Sequence, residues 1–386
     1  MLEPTCLALT FFDIPWLFFS ATQPIFFYQY PYPTPHFLST TLPTLTHSLS
    51  LALRHFFGFA ATLVTPTPAT PTPDLIISYD QGNCISLVVA ESKGDFDFDA
   101  LCGNHQRCVE ELYPLVPPLA SASLLSAQIT IFSNAGICIA FAYDRVGADG
   151  RTFNSFIKTW ASLCRDPAAA CCLLNPEPPF YDRTVIKDTY ALHSTFINHY
   201  YLTLTTNTKS SPTNSHSHNM PSYLGFNAGA IARLDYPVPT SYFGNCIGFA
   251  RCMALESQLR GEDGIIFAAN AIGNRVRQLD EAVLQGAENW ISDWEVFYEA
   301  GHDDDVMVMV VGSPKLDFYD TDFGWGRPIK IEEISIDNYA NAVSFTQSRH
   351  VRGGIEVGLA LPKPKMDAFA SFFTQIQAQP LELASS

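Results

Sequence analysis

Positive charge is scarce in this sequence. Across 386 residues, 22 lysines and arginines stand against 38 aspartates and glutamates, for a formal net charge of −16. No stretch interleaves basic residues with aromatics, so the chain lacks the footprint of a nucleic-acid binder, and DNA or RNA would be repelled. An anionic small molecule stays compatible with this balance, because a local pocket can differ in sign from the whole. Ten cysteines are present, but no two are spaced as CxxC, and no Cys/His cluster has zinc-ligand spacing, which argues against a metal centre. Such scattered cysteines are expected to be reduced and mostly buried. A long uninterrupted apolar run is also missing. The apolar N-terminal stretch LALTFFDIPWLFF has no basic flank, is interrupted by Asp13 and Pro15, and is followed by Gln23-Pro24. This argues against a secretory leader or a membrane span and predicts a cytoplasmic chain. No internal repeat of fixed period occurs.

What is present is the composition of a folded protein, 47% hydrophobic and 13% aromatic, which excludes intrinsic disorder. The length predicts two domains. Residues 1–40 are crowded with aromatics and prolines and predict an extended segment across a core. Leu45, Leu49, Ala52, Leu53, Phe56 and Phe57 have helical spacing. DLIISY and CISLVVAES, joined by Asp80-Gln81-Gly82-Asn83, read as a hairpin, as do SAQITIFS and ICIAFAY around Asn134-Ala135-Gly136. After the second hairpin, a tight loop from Asp144 to Gly150 feeds a helix carrying Phe153, Phe156, Ile157 and Trp160. Two polar stretches, TPTPATPTPD and residues 206–222, read as connectors. The second half predicts a long helical pattern from Ile265 to Trp294, the strands VMVMVVG, PIKIEEISI, AVSFTQS and GIEVGLAL, and an amphipathic end helix with Met366, Phe369, Phe372 and Phe373. Strands and helices mix without regular βαβ alternation, which predicts an α+β, two-lobed architecture.

Two pentapeptides stand out. In Asp322-Phe323-Gly324-Trp325-Gly326, glycines permit sharp bends and the aromatics anchor the loop. Read from the residues alone it is a structural loop, with Asp322 expected to pair with an arginine, by composition Arg233. Tyr242-Phe243-Gly244-Asn245-Cys246 reads as a strand end or turn. His216 and His218, in a Ser/Asn-rich stretch, read as exposed coil. The run Asp303-Asp304-Asp305 lacks the ligand spacing of a calcium loop and reads as a solvated turn.

These two pentapeptides, with LTFFDIPWL near the start and GGIEVGLALPKPKMDAFASFF near the end, resemble the plant BAHD acyltransferases, within them the anthocyanin and phenolic-glucoside malonyltransferase branch. The resemblance implies a two-lobed chloramphenicol-acetyltransferase-like fold around a channel. It implies an acyl-CoA co-substrate (malonyl-CoA in this branch) with no bound cofactor, a phenolic or flavonoid glycoside acceptor, and a monomer. In the family a His-x-x-x-Asp motif at a strand end supplies the base that takes the acceptor hydroxyl proton. The aspartate of that motif orients the loop, and the DFGWG aspartate holds the fold.

The chain departs from that pattern. Aligning ICIAFAYDRVGADG on the motif puts Arg145 at the histidine position and Asp149 at the aspartate position, and none of the ten histidines has an aspartate four residues later. Arginine stays protonated at any working pH and cannot serve as base. Asp144 is an unpromising substitute, expected on the opposite face with its pKa lowered by the neighbouring cation. The Asp-x-Arg-x-Arg pattern usual before YFGNC is reduced here to Arg233. A crossover segment, a helix and core strands are missing between the regions ending near Tyr201 and beginning near Tyr223, and the strand before LTFFDIPWL is absent. The expected organisation is therefore a lobe over residues 1–205, a polar linker over 206–222 and a lobe over 223–386, a fold incomplete between the lobes. The functional expectation is an acyl-CoA-dependent O-acyltransferase homologue weakened at its base. The alternatives are a catalytically silent CoA or glycoside binder, or a non-functional truncated copy.

Overall fold

In the computed structural model, which describes residues 3–65, 75–94, 96–166, 177–206, 221–299, 307–334, 336 and 341–378, the strands are, in chain order, β1 (Thr5–Ala8), β2 (Pro24–Gln29), β3 (Thr62–Val64), β4 (Ile76–Tyr79), β5 (Ser86–Glu91), β6 (Leu125–Phe132), β7 (Gly136–Tyr143), β8 (Pro221–Gly229), β9 (Ile247–Leu255), β10 (Met307–Gly312), β11 (Lys330–Glu333), β12 (Ala342–Gln347) and β13 (Ile355–Ala360). They form two five-stranded sheets, ordered β11-β2-β7-β6-β5 and β13-β12-β10-β8-β9, and a three-stranded sheet β1-β4-β3. The result is a two-lobed α+β fold.

The hairpin of β6 and β7 is the backbone of the first lobe. β7 is a nearly continuous apolar run, β6 alternates apolar residues with Ser126, Gln128 and Thr130, and every residue of both is buried. They pair antiparallel from Leu125↔Tyr143 to Phe132↔Gly136, as the sequence predicts. Asn134 in the turn adopts a positive φ of 64°, which asparagine tolerates better than most residues. Gly136 is required by space, since a Cβ there would lie 2.0 Å from the Phe98 ring. Beyond β7 the helix Gly150–Arg165 buries Phe153, Phe156, Ile157 and Trp160 on one stripe. Trp160 packs edge-on against Phe141 and Phe323. Its indole N–H donates to the carbonyl of Leu45, 3.1 Å away, and so ties this helix to the helix Leu42–His55.

Several expectations fail for reasons of long-range pairing. DLIISY and CISLVVAES do not form a hairpin. β4 pairs with β1 and β3, whereas β5 runs parallel to β6 in another sheet. A strand does precede LTFFDIPWL, since Thr5–Ala8 pairs antiparallel with β4. The pattern from Ile265 to Trp294 is broken into helices Gly264–Glu281 and Trp290–Glu299, with Gly286 at φ 79° between them. Of the eight described cysteines, only Cys138, Cys164 and Cys246 are buried, and all eight are free. β11, from the second half of the chain, pairs antiparallel with β2 and so completes the first sheet. TPTPATPTPD, residues 206–222, His216, His218 and the aspartate run at 303–305 lie wholly or largely outside the described residues.

Candidate active site

The loop that leaves β7 is drawn tight by its own backbone and one side chain. The Gly147 N–H donates to the Asp144 carbonyl at 3.1 Å, and the Val146 N–H donates to Asp144 Oδ1 at 2.9 Å. Asp144 is half-buried, and burial raises its pKa despite that donated hydrogen bond. This corrects the depression expected from sequence adjacency to Arg145, because lost solvation outweighs the Val146 hydrogen bond. Asp149 is buried and caps the next helix, with Oδ1 accepting the Thr152 N–H at 2.9 Å. Its other oxygen lies 3.5 Å from Arg151 and 3.4 Å from the Cys246 N–H.

YFGNC docks directly onto this loop. The Asp149 N–H donates to the Gly244 carbonyl at 3.3 Å, and Arg151 donates to the Tyr242 carbonyl at 2.9 Å. Gly244 has φ +140°, and a Cβ there would lie 2.3 Å from the Arg183 guanidinium. Asn245 Nδ2 donates to the Arg145 carbonyl at 2.7 Å and to Asp13 Oδ1 at 3.0 Å. Asp13 is fully buried. It also accepts from the Asn245 backbone at 3.0 Å, from the Thr10 backbone at 2.8 Å and hydroxyl at 2.7 Å, and from Arg183 at 3.1 Å. Arg183 reaches the Tyr242 hydroxyl as well, at 3.0 Å. Burial alone would favour discharging Arg183, but the opposed charge of Asp13 and the Tyr242 contact hold it firmly protonated. In the sequence Asp13 stands out only as an interruption of an apolar stretch, and nothing marks Arg183. A lone carboxylate inside LTFFDIPWL was the available signal, since a buried charge needs a partner.

DFGWG lies elsewhere. Asp322 Oδ1 accepts the N–H groups of Gly324 at 2.7 Å and Gly326 at 3.0 Å, both glycines having positive φ. Phe323 stacks on Trp325, and both pack edge-on against Tyr28. The expected pairing of Asp322 with Arg233 is wrong. Its basic neighbour is Arg165, at 3.9 Å, at the end of the helix that Phe323 packs beneath. Arg233 instead bridges Asp280 at 2.7 Å and the Gly229 carbonyl at 2.7 Å, bracing β8 against the helix Gly264–Glu281.

A cavity of about 630 Å³ runs between the lobes and is lined by Tyr143 and Arg145 from the first and by Asn227, Gly312 and Phe345 from the second. Asp149 and Asp322 are not among its lining residues. The guanidinium of Arg145 lies over the Trp16 ring, 4.3 Å from its centroid. The Tyr143 phenol, also in the wall, is pushed up to about 12 by burial, with Arg145 acting in the opposite sense. The one histidine in the wall is His105. It is exposed, and its neighbour Asn104 bonds Lys330 at 2.7 Å. Lys330 lies level with Phe27 and hence with Cys138. At strand rise that level is about 17 Å short of Tyr143. Among the described residues no cluster of potential metal ligands occurs, and no helix is long and apolar enough to cross a membrane.

The model of the transferase family matches residues 3–215 and 202–376. The chain belongs to this family, that of the plant BAHD acyltransferases. It is 30% identical to malonyl-coenzyme A:anthocyanin 3-O-glucoside-6''-O-malonyltransferase of Dahlia pinnata, with 95% of this chain and 92% of the relative covered. It is 33% identical to malonyl-coenzyme:anthocyanin 5-O-glucoside-6'''-O-malonyltransferase of Salvia splendens, with 95% and 90% covered. Phenolic glucoside malonyltransferase 1 of Nicotiana tabacum is 31% identical, with 95% and 94% covered. The Dahlia alignment spans 434 positions, more than this chain has residues, so that relative carries residues without a counterpart here. Two solved structures share the fold. Vinorine synthase has a TM-score of 0.65 at 16% identity, covering 94% of this chain and 91% of its own. TRI101 of F. sporotrichioides, complexed with coenzyme A and T-2, has a TM-score of 0.61 at 13% identity, covering 95% and 97%.

Proposed function

We propose that this chain is an acyl-CoA-dependent O-acyltransferase homologue for phenolic or flavonoid glycosides whose transfer step lacks its base. Donor and acceptor would meet in the cavity between the lobes, as implied by relatives named for malonyl and coumaroyl transfer to glucosides. Attack of a sugar hydroxyl on a thioester carbonyl needs a group to take the hydroxyl proton. The observation that carries the reading is the guanidinium of Arg145 in the cavity wall, at the strand end where the family's His-x-x-x-Asp motif aligns. A guanidinium holds its proton at any working pH. None of its neighbours replaces it. Tyr143, at about 12, stays a neutral phenol. Asp144 is outside the cavity wall, and both Asp149 oxygens are engaged in the loop. In this reading Asp149 orients the loop, and Asp322 holds the fold. The two overlapping pieces of the family match, meeting at residues 202–215, support a segment lost at that point.

With malonyl-CoA and a flavonoid glucoside, thiol release by the unmodified chain should fall about 10²–10⁴-fold below that of active relatives. Arg145→His should recover part of that loss. Wild-type turnover at the relatives' rate overturns the reading. No gain from Arg145→His would mean that the absent segment, rather than the absent base, limits the reaction.

A further inference from the structure

Arg145 has an unusual situation for a partly buried cation. None of the ion pairs among the described residues includes it, and its Nε is buried without a hydrogen-bond partner. The nearby carboxylates are engaged elsewhere. Asp149 is tied to Thr152, Cys246 and Arg151, and Glu333, which with Arg145 influences the Tyr143 phenol, accepts the Gln23 N–H at 3.1 Å. The guanidinium carbon lies over the Trp16 ring, and Arg145 lines the cavity. A guanidinium carries its N–H groups in one plane, the arrangement that grips a carboxylate with two parallel hydrogen bonds.

The wall beside it is aromatic. Trp16, Phe19 and Trp294 all line the cavity and pack on one another at centroid distances of 5.3, 6.2 and 4.5 Å. These rings stand at 54°, 67° and 61° to one another and so offer both edges and faces to an aromatic ring, for which a cavity of about 630 Å³ has room. We propose that Arg145 and Trp16 anchor the carboxylate of an aromatic carboxylic acid, whose ring packs along Phe19 and Trp294. The substitution thus converts the place of the base into a recognition site for an anion. The proposal rests on the reading that Arg145 occupies the base position, but it concerns binding and not turnover.

The test is calorimetric titration of the full chain with 4-coumarate and with its neutral primary amide, in wild type and in Arg145→Gln. The acid should bind wild type about tenfold or more tightly than the amide. In Arg145→Gln that preference should vanish while the amide binds as before. Equal affinity for acid and amide in the unmodified protein overturns the anchor, and that comparison does not depend on how the variant folds. Absence of acid binding at millimolar concentration overturns it too. Ester formation by wild type at the relatives' rate would instead overturn the proposed function, which a retained preference for the acid would not rescue.

Discussion

The two large sheets are unequal. In the first, β6 and β7 are buried along their whole length. In the second, the interior strand β8 buries only Gly225 and Ala228. The helix Gly264–Glu281 buries only Gly264 and Leu279, and Ile265 on it is 81% exposed. Phe372 and Phe373 of the end helix also face solvent. Apolar residues are abundant in both lobes, so composition does not make the difference. The first lobe covers both faces of its central strands, and the second leaves much of its apolar surface open. Apolar area contributes to stability only when removed from water, so stability should be concentrated in the first lobe.

Four substitutions break or sharpen that contrast. Trp160→Ala should have the largest effect. It empties a fully buried site between Phe141 and Phe323 and removes one of the donors to the Leu45 carbonyl, at a cost of about 3–5 kcal/mol by chemical denaturation. Asp322→Ala removes the acceptor shared by Gly324 and Gly326 and should cost about 1–2 kcal/mol on the same measurement. Asp144→Asn should act in the opposite direction. Because the folded pKa of Asp144 is raised, its contribution is fully present below the unfolded pKa and is lost as pH rises through the folded one. The asparagine variant should therefore melt higher than wild type at neutral pH, with the gap closing in acid. Ile265→Lys, on the uncovered face, should shift stability by no more than about 0.5 kcal/mol. A large loss there would show that this face is covered in solution.

The legible part of the molecule was local. Two β-rich segments around Asn134-Ala135-Gly136 marked β6 and β7, and the Phe153, Phe156, Ile157, Trp160 stripe marked the helix that follows. The two pentapeptides marked the loops that bend at Gly244, Gly324 and Gly326. Pairing between distant segments left no such trace. Ile76–Tyr79 and Ser86–Glu91 are neighbours in sequence with a good turn between them, yet each finds its partner in a different sheet. The same holds at the site. Asp13, Arg183 and Asn245 lie far apart in the chain and meet only through tertiary packing. Asp144 shows a subtler limit, since adjacency to a cation was visible and the degree of burial was not.

The crossing of β11 into the first sheet has a consequence for synthesis. β2 is made within the first thirty or so residues, but its outer partner, Lys330–Glu333, emerges about 300 residues later. At roughly 5–20 residues per second on the ribosome, β2 waits on the order of 15–60 s with an open row of backbone donors and acceptors. An unguarded strand edge is a template for pairing with another chain. A nascent chain stalled before Lys330, or a fragment cut there, would carry that edge permanently, so the first lobe cannot finish folding without the second half of its own polypeptide.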